Sequence, residues 1–158
     1  MGSKIVIYRK RLEDNLNESY KHLQRLNGAF EEIGIRYTFP INKEIFFQII
    51  ESKQLLAYSD QIIYRFSKLQ DCMGAKLFKS ILLYQGENTN RPFLDILNQL
   101  EKIDIVDVDE WFEIRDLRNE IAHDYEDNDA TAMHILNTIY KLKKELGNIL
   151  DTVNKIIE

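Results

Sequence analysis

The chain has 158 residues, of which 44% are hydrophobic and 30% charged, and a formal net charge of −5. That length supports one domain with a real core. The acidic balance argues against general coating of nucleic acid, which needs a basic surface to release counterions, but leaves room for an enzyme whose positive charge is local. Six Gly and two Pro give few breaks, so long helices are expected. The single cysteine, Cys72, cannot form an internal disulfide, which fits a reducing cytosol. No apolar run is long enough to span a membrane, and no secretory signal precedes the first amphipathic segment. A cytoplasmic protein with no membrane partner is therefore expected. Met1, Gly2 and Ser3 read as a cloning scar and carry no weight.

In chain order, Leu12, Leu16, Tyr20, Leu23, Leu26, Phe30 and Ile33 recur at steps of three and four, the stripe of one amphipathic helix, with Gly34 as a C-terminal stop. Phe39-Pro40 reads as an extended connection. A long periodic stretch runs from about Lys43 to Tyr84, clearest at Ile62, Phe66, Leu69, Met73, Leu77, Ile81 and Tyr84. It fits one helix, or two joined near Ala57–Asp60. Residues 85–91 form a polar loop, and Pro92 suits a first helical turn. Phe93, Ile96, Leu97, Leu100 and Ile103 mark a short helix. Asp107 and Glu110 have the spacing of a capping box for the next one.

In the last helix Ala132, Ile135, Ile139, Leu142, Leu146, Ile149, Val153 and Ile156 alternate steps of three and four without a miss. Such a heptad seam wants a helical partner along its length, in the same bundle or in a second subunit. No strand pattern, repeat or low-complexity tract competes. The expectation is an all-α fold, an antiparallel helical bundle forming a single domain over 1–158. Residues 4–57 would be an additional N-terminal helical segment packed on the bundle.

The chemistry concentrates in Trp111–Tyr125, WFEIRDLRNEIAHDY. At about 100° per residue, Trp111, Ile114, Leu117, Ile121 and Ala122 share an apolar sector. Arg118 falls inside that sector, with Arg115 at its edge. Taken alone, such an Arg most simply snorkels or pairs with a carboxylate from another helix, because an unpaired buried guanidinium is too costly. His123 follows Arg118 by five positions, about 140° around a continuous helix. The two side chains converge only if the helix loosens after Ala122 or if two copies meet. The turn-forming run Asp124–Asp129 places His123 near a helix C-terminus, where it could act as a general acid or simply cap the last carbonyls.

Arg118-Asn119-Glu120-Ile121-Ala122-His123-Asp124-Tyr125 resembles the R-x4-H-x-Y signature of the HEPN-domain family, including an Asn directly after the Arg. The resemblance covers the chain from about Ser59 to its C-terminus. In style it is to the HepT-like ribonuclease toxins paired with a minimal nucleotidyltransferase antitoxin. It implies a HEPN-like bundle, and a homodimer whose two motifs face one cleft. It further implies metal-independent endonucleolytic cleavage of RNA by 2′-OH attack. Arg118 and His123 would be catalytic, and Tyr125, otherwise a plain packing aromatic, would be the site where the antitoxin attaches AMP. Asn119, Arg115 and Asp71 are accessory candidates, Asp71 being either a polar residue of the cleft or a surface charge.

An alternative is a non-catalytic HEPN module that binds a nucleotide or presents a substrate to a nucleotidyltransferase. Arg65, Lys68, Lys76 and Lys79 put positive charge on the long helix, as an RNA-facing stripe or, more simply, a solvated face. His22 and His134 read as surface or boundary residues. No Cys/His or Asp/Glu set has metal spacing, and no Gly-rich phosphate loop or nucleophile elbow occurs, so no metal and no cofactor are expected.

Overall fold

The stripe that begins at Leu12 forms α1 (Gly2–Gly34), with Leu12, Leu16, Leu23, Leu26, Phe30 and Ile33 buried. This computed structural model describes residues 2–124 and 128–158, and all regular structure among them is helical. The first helix closes where the amides of Arg36 and Tyr37 both donate to the Ile33 carbonyl, at 3.1 and 3.0 Å. The connection that follows contains a cis Phe39–Pro40 bond. Asn137 on the last helix then clamps it: its side chain accepts from the Ile41 amide at 2.8 Å and donates to the Ile41 carbonyl at 2.9 Å. Both backbone groups of a buried residue are thereby satisfied by one amide.

Asn42 caps α2 (Lys43–Glu51) by accepting from the Ile45 amide. The long periodic stretch is broken, but at Ser52 rather than near Ala57–Asp60. Ser52 takes an extended conformation, donates its amide to Ile49, and accepts from Leu55 to start α3 (Lys53–Cys72). No Gly or Pro marks this joint; one hydroxyl suffices. Residues 57–60 continue within α3.

The rod then passes through a π turn (Met73–Leu77) into α4 (Phe78–Tyr84). The reason lies in the stripe itself. Leu69, Met73, Leu77 and Ile81 are three successive steps of four. Each step overshoots an α-helical turn by about 40°, so the run would drift about 120° off the core. The wider turn, with the Phe78 amide bonded to the Met73 carbonyl five residues back, takes up that drift. All four side chains are fully buried.

Short α5 (Phe93–Lys102) buries Ile96, Leu97 and Leu100. Pro92 sits one place before its first residue, and Ile103 one place after its last. Asp104, at φ 60°, turns the chain so that Ile105 and Val106 enter the core. Then α6 (Val108–Asp124) starts on Asp107, whose carboxylate accepts from the Glu110 amide at 3.0 Å. The Glu110 side chain faces Glu145 across the bundle. Burial first, and the Glu145 carboxylate second, hold its carboxyl above the ordinary range.

Asn128 caps α7 (Asp129–Ile157) by accepting from Ala130 and Thr131. The seam is buried from Ala132 to Val153, with Ile156 half-buried. Its cover comes from α1, α2, α3 and α6 of the same chain. The choice left open by the heptad pattern thus falls to the chain's own bundle.

Cross-bundle contacts give the directions. Glu18 meets Lys76 and His22 meets Arg65, so α1 runs antiparallel to the rod. Arg9 reaches the Ile157 carbonyl and Tyr20 donates to Asp151, so α1 is antiparallel to α7 as well. The 4–57 segment therefore supplies α2 and one wall of the bundle, because α1 shares one continuous core with α3, α6 and α7. No described helix is long and apolar enough to cross a membrane.

The Asn137 clamp is a polar tie between the α1–α2 connection and α7. Asn137→Leu leaves the Ile41 amide and carbonyl without partners, at a cost of about 1–3 kcal/mol. Thermal melting should show a Tm several degrees below wild type. An unchanged Tm would mean that the clamp adds nothing to stability.

Candidate active site

Arg118 projects from the packed side of α6, and the structure supplies the partner that position demands. Asp71, in the last turn of α3, takes its Nε at 3.1 Å on Oδ1 and its Nη2 at 3.1 Å on Oδ2. The pair is a planar fork-to-fork contact. Its side chains are 28% and 48% exposed, so it contributes at most about 1 kcal/mol to stability. Its chief effect is orientation. A guanidinium has five N–H donors, and Asp71 engages the Nε/Nη2 edge only. The Nη1 end lies outside this pair.

Two features bring Asp71 to this place. Gly74, one turn on, lies within the π turn. A Cβ there would stand 3.3 Å from Cζ2 of Trp111 and 3.4 Å from Nε2 of Gln70. The missing side chain lets α6 approach the rod closely at Trp111, which is fully buried and edge-on to Phe78 at 4.6 Å. Trp111 beside Gly74 and Arg118 beside Asp71 fix α6 antiparallel to the rod. The Trp111 indole nitrogen is buried without a hydrogen-bond partner among the described residues.

His123 stands in the last turn of α6, exposed. The helix does not loosen after Ala122 but continues to Asp124. Arg118 and His123 therefore diverge by about 140° within one chain. Ala122, expected on the apolar sector, is exposed, since the helix end runs past the packed region. Asn119 is exposed on the same helix. Arg115 lies over the Phe93 ring at 5.6 Å. With Gln70, Asp71, Gly74, Ala75 and Phe93 it lines a groove of about 290 Å³ beside the ion pair. Tyr125 lies outside the described residues.

The structure thus joins Arg118 to Asp71, sets Arg115 beside them, and leaves His123 apart. Gln70, Gly74 and Ala75 were not singled out from sequence, and Phe93 was read only as part of a helical stripe. The three successive steps of four around Gly74 were the available signal.

A second groove of about 440 Å³ opens on the other side of Asp71 and Ala75, lined also by Glu18, His22, Tyr64, Lys68, Cys72 and Lys76. His22 is more than a boundary residue here. Its Nδ1 lies 3.0 Å from Nη1 of Arg65, and burial, then that guanidinium, lower its pKa. Arg65 and Lys68 sit over the Tyr64 ring at 5.1 and 5.7 Å, and Lys76 pairs with Glu18 at 3.4 Å. The basic stripe is thus partly committed to local partners. Burial and the neighbouring Glu18 carboxylate push the Cys72 thiol up to about 11, which keeps it from acting as a thiolate. His134 is exposed on α7, near Thr138. No group of three His, Cys, Asp or Glu among the described residues is placed to hold a metal.

No protein-family model, curated protein or solved structure matches the chain.

The close approach at Gly74 can be tested with the chain's one tryptophan. Gly74→Val forces Trp111 outward and should lower Tm by several degrees, with a shift of the indole emission toward that of a wetter environment. Unchanged emission and Tm would show that the π turn yields without moving α6.

Proposed function

We propose that this chain is a metal-independent endoribonuclease of the HEPN kind, working as a homodimer, with Arg118 and His123 as catalytic residues. The observation that carries the reading is the Asp71–Arg118 fork. It fixes a guanidinium beside an open groove, with its Nη1 end outside the pair, inside an R-x4-H-x-Y sequence.

In this reading Arg118 holds the scissile phosphate and stabilises charge in the transition state. His123 of one copy takes the proton from the ribose 2′-OH, and the 2′-oxygen bonds to phosphorus. The bond from phosphorus to the 5′-oxygen breaks, and His123 of the second copy protonates the departing oxygen. The products are a cyclic 2′,3′-phosphate and a free 5′-hydroxyl. Asp71 acts through Arg118 as a positioning residue, and Arg115 and Asn119 flank the phosphate as accessory polar groups. The divergence of Arg118 and His123 along α6 makes the second copy a requirement of this chemistry.

The same divergence also favours a second reading, a non-catalytic nucleotide-binding or nucleotidyltransferase-presenting module that uses Arg118 without proton transfer. Cleavage assays separate the two. Wild type should cut RNA in the presence of a chelator, and light scattering should show a dimer at micromolar concentration. His123→Ala and Arg118→Ala should each lose about 10²–10⁴ in rate with an unchanged melting curve. Asp71→Ala should lose about 10- to 100-fold, since misplacing a binding group by an ångström has that effect. Full activity in His123→Ala, or activity that depends on added Mg²⁺, rejects the mechanism. Absence of cleavage with retained nucleotide binding favours the module.

Control follows from Tyr125, two residues beyond His123. A cognate minimal nucleotidyltransferase antitoxin would attach AMP to its phenol oxygen, adding bulk and a phosphate that competes for Arg118. With that enzyme and ATP, intact mass should rise by one adenylate or more, and cleavage should stop. Tyr125→Phe should keep substantial activity and escape silencing. Modified wild type that still cuts RNA at full rate overturns this control.

A further inference from the structure

The two grooves lie on either side of Asp71 and Ala75, which line both, so they adjoin across the long helix as a trough crossed by those two residues. Tyr64 stands at one end, half exposed, and Phe93 at the other. Cations sit against both rings: Arg65 and Lys68 over Tyr64, Arg115 over Phe93. Lys76 and Arg118 add two more between them. Among the described residues that line the two grooves the acids are Glu18 and Asp71, each already engaged by one of these five cations, in a chain whose net charge is −5. Positive charge is thus concentrated in one place, and aromatic faces are interleaved with it. Folding alone does not call for this arrangement. Lys68 is exposed, Lys76 is 56% exposed in its side chain, and Tyr64 is 50% exposed, so these residues contribute little to the core.

We infer that this trough is the track for single-stranded RNA leading to Arg118, with one base stacked on Tyr64 and the adjoining phosphates held by Lys68 and Lys76. The inference rests on the ribonuclease reading and names the form of substrate that its site takes. Single strands fit this arrangement because an unpaired base offers a free π-face to an exposed ring, while ammonium and guanidinium groups follow the backbone. A duplex hides its bases in the stack and gives Tyr64 nothing to grip. The cations over the rings need only swing toward a phosphate as the base arrives, since each ring keeps a second face. Phe93 with Arg115 then forms the far bank, next to the fixed guanidinium of Arg118.

The test uses the full-length His123→Ala protein, so that nothing is cut, and a fluorescein-labelled oligouridylate of about 12 nucleotides. Fluorescence anisotropy gives Kd across a salt series. Adding Tyr64→Ala should weaken binding roughly 5- to 150-fold, the range of one stacked base. Adding Lys68→Gln with Lys76→Gln should weaken it and flatten the salt dependence by about 0.7 per lysine in log–log slope. Both variants should melt as the parent does, because the changed side chains are exposed. A duplex of the same length should bind less tightly and ignore Tyr64→Ala. Tight binding that is indifferent to Tyr64, Lys68 and Lys76 overturns the track. So does the absence of binding at low salt. Cleavage by the wild type is scored separately: RNA cut normally by Tyr64→Ala at subsaturating substrate removes the track and leaves the ribonuclease reading standing.

Discussion

A guanidinium on the packed side of a helix cannot be left without a counter-charge. Arg118 lies in the same sector of α6 as Trp111, Ile114 and Leu117, all buried. Its demand for a partner therefore bears on how α6 docks. Asp71 answers it from the last turn of α3, and the docking that allows this is set two turns away. There Gly74 offers no side chain and Trp111 fills the space. The ion pair is weak as a source of stability, since both partners are wet. It is effective as a jig. The apolar contact at Trp111 holds the helices together, and the fork then sets the angle of one guanidinium. Stability and orientation come from different residues, so the orienting pair can be changed without unfolding the bundle.

The π turn belongs to the same arrangement. A rod with α-helical bonding throughout would turn Leu77 and Ile81 away from the core that Leu69 and Met73 occupy. Widening one turn keeps all four inside and places the bulge directly after Asp71 and Cys72. Such bulges often occur at functional sites. Here the bulge adjoins the point where the two grooves meet, at Asp71 and Ala75. The same local widening thus serves the core on one side and shapes the trough on the other.

Much of the helical layout was legible because it rests on local periodicity. The α1 stripe, the α7 seam and the Asp107 cap each need only residues three or four apart. The break at Ser52 was not legible, because its hydroxyl competes with those of ten other Ser and Thr residues and only tertiary packing selects it. The partner of Arg118 was only partly legible: its helical phase demands a carboxylate, but a chain with 26 acids offers many. Asp71 stood among the candidates, yet its choice depends on Gly74, whose meaning appears only once Trp111 is seen against it. The His22–Arg65 contact joins residues 43 apart and had no sequence signal at all. The α7 seam announced a helical partner but not its source, since a heptad pattern is the same whether the cover belongs to its own chain or another.

The remaining question is how Arg118 could bind an anion while held by a carboxylate. If Asp71 fully neutralised it, the fork would be a structural brace and nothing more. Two facts argue otherwise. Asp71 is nearly half exposed, so water screens its charge, and it engages only one edge of a guanidinium whose positive charge is delocalised over all three nitrogens. A phosphate approaching from the Nη1 side meets donors that lie outside the Asp71 pair, on a guanidinium already aligned, and costs the arginine little rotamer freedom in binding them. Arg115, Lys68 and Lys76 around the trough keep the local field positive despite Asp71 and Glu18. An unpaired arginine at the same place would carry more charge and less direction. For the proposed role of holding one phosphorus centre in line with an incoming oxygen, direction is the scarcer quantity, and the carboxylate supplies it.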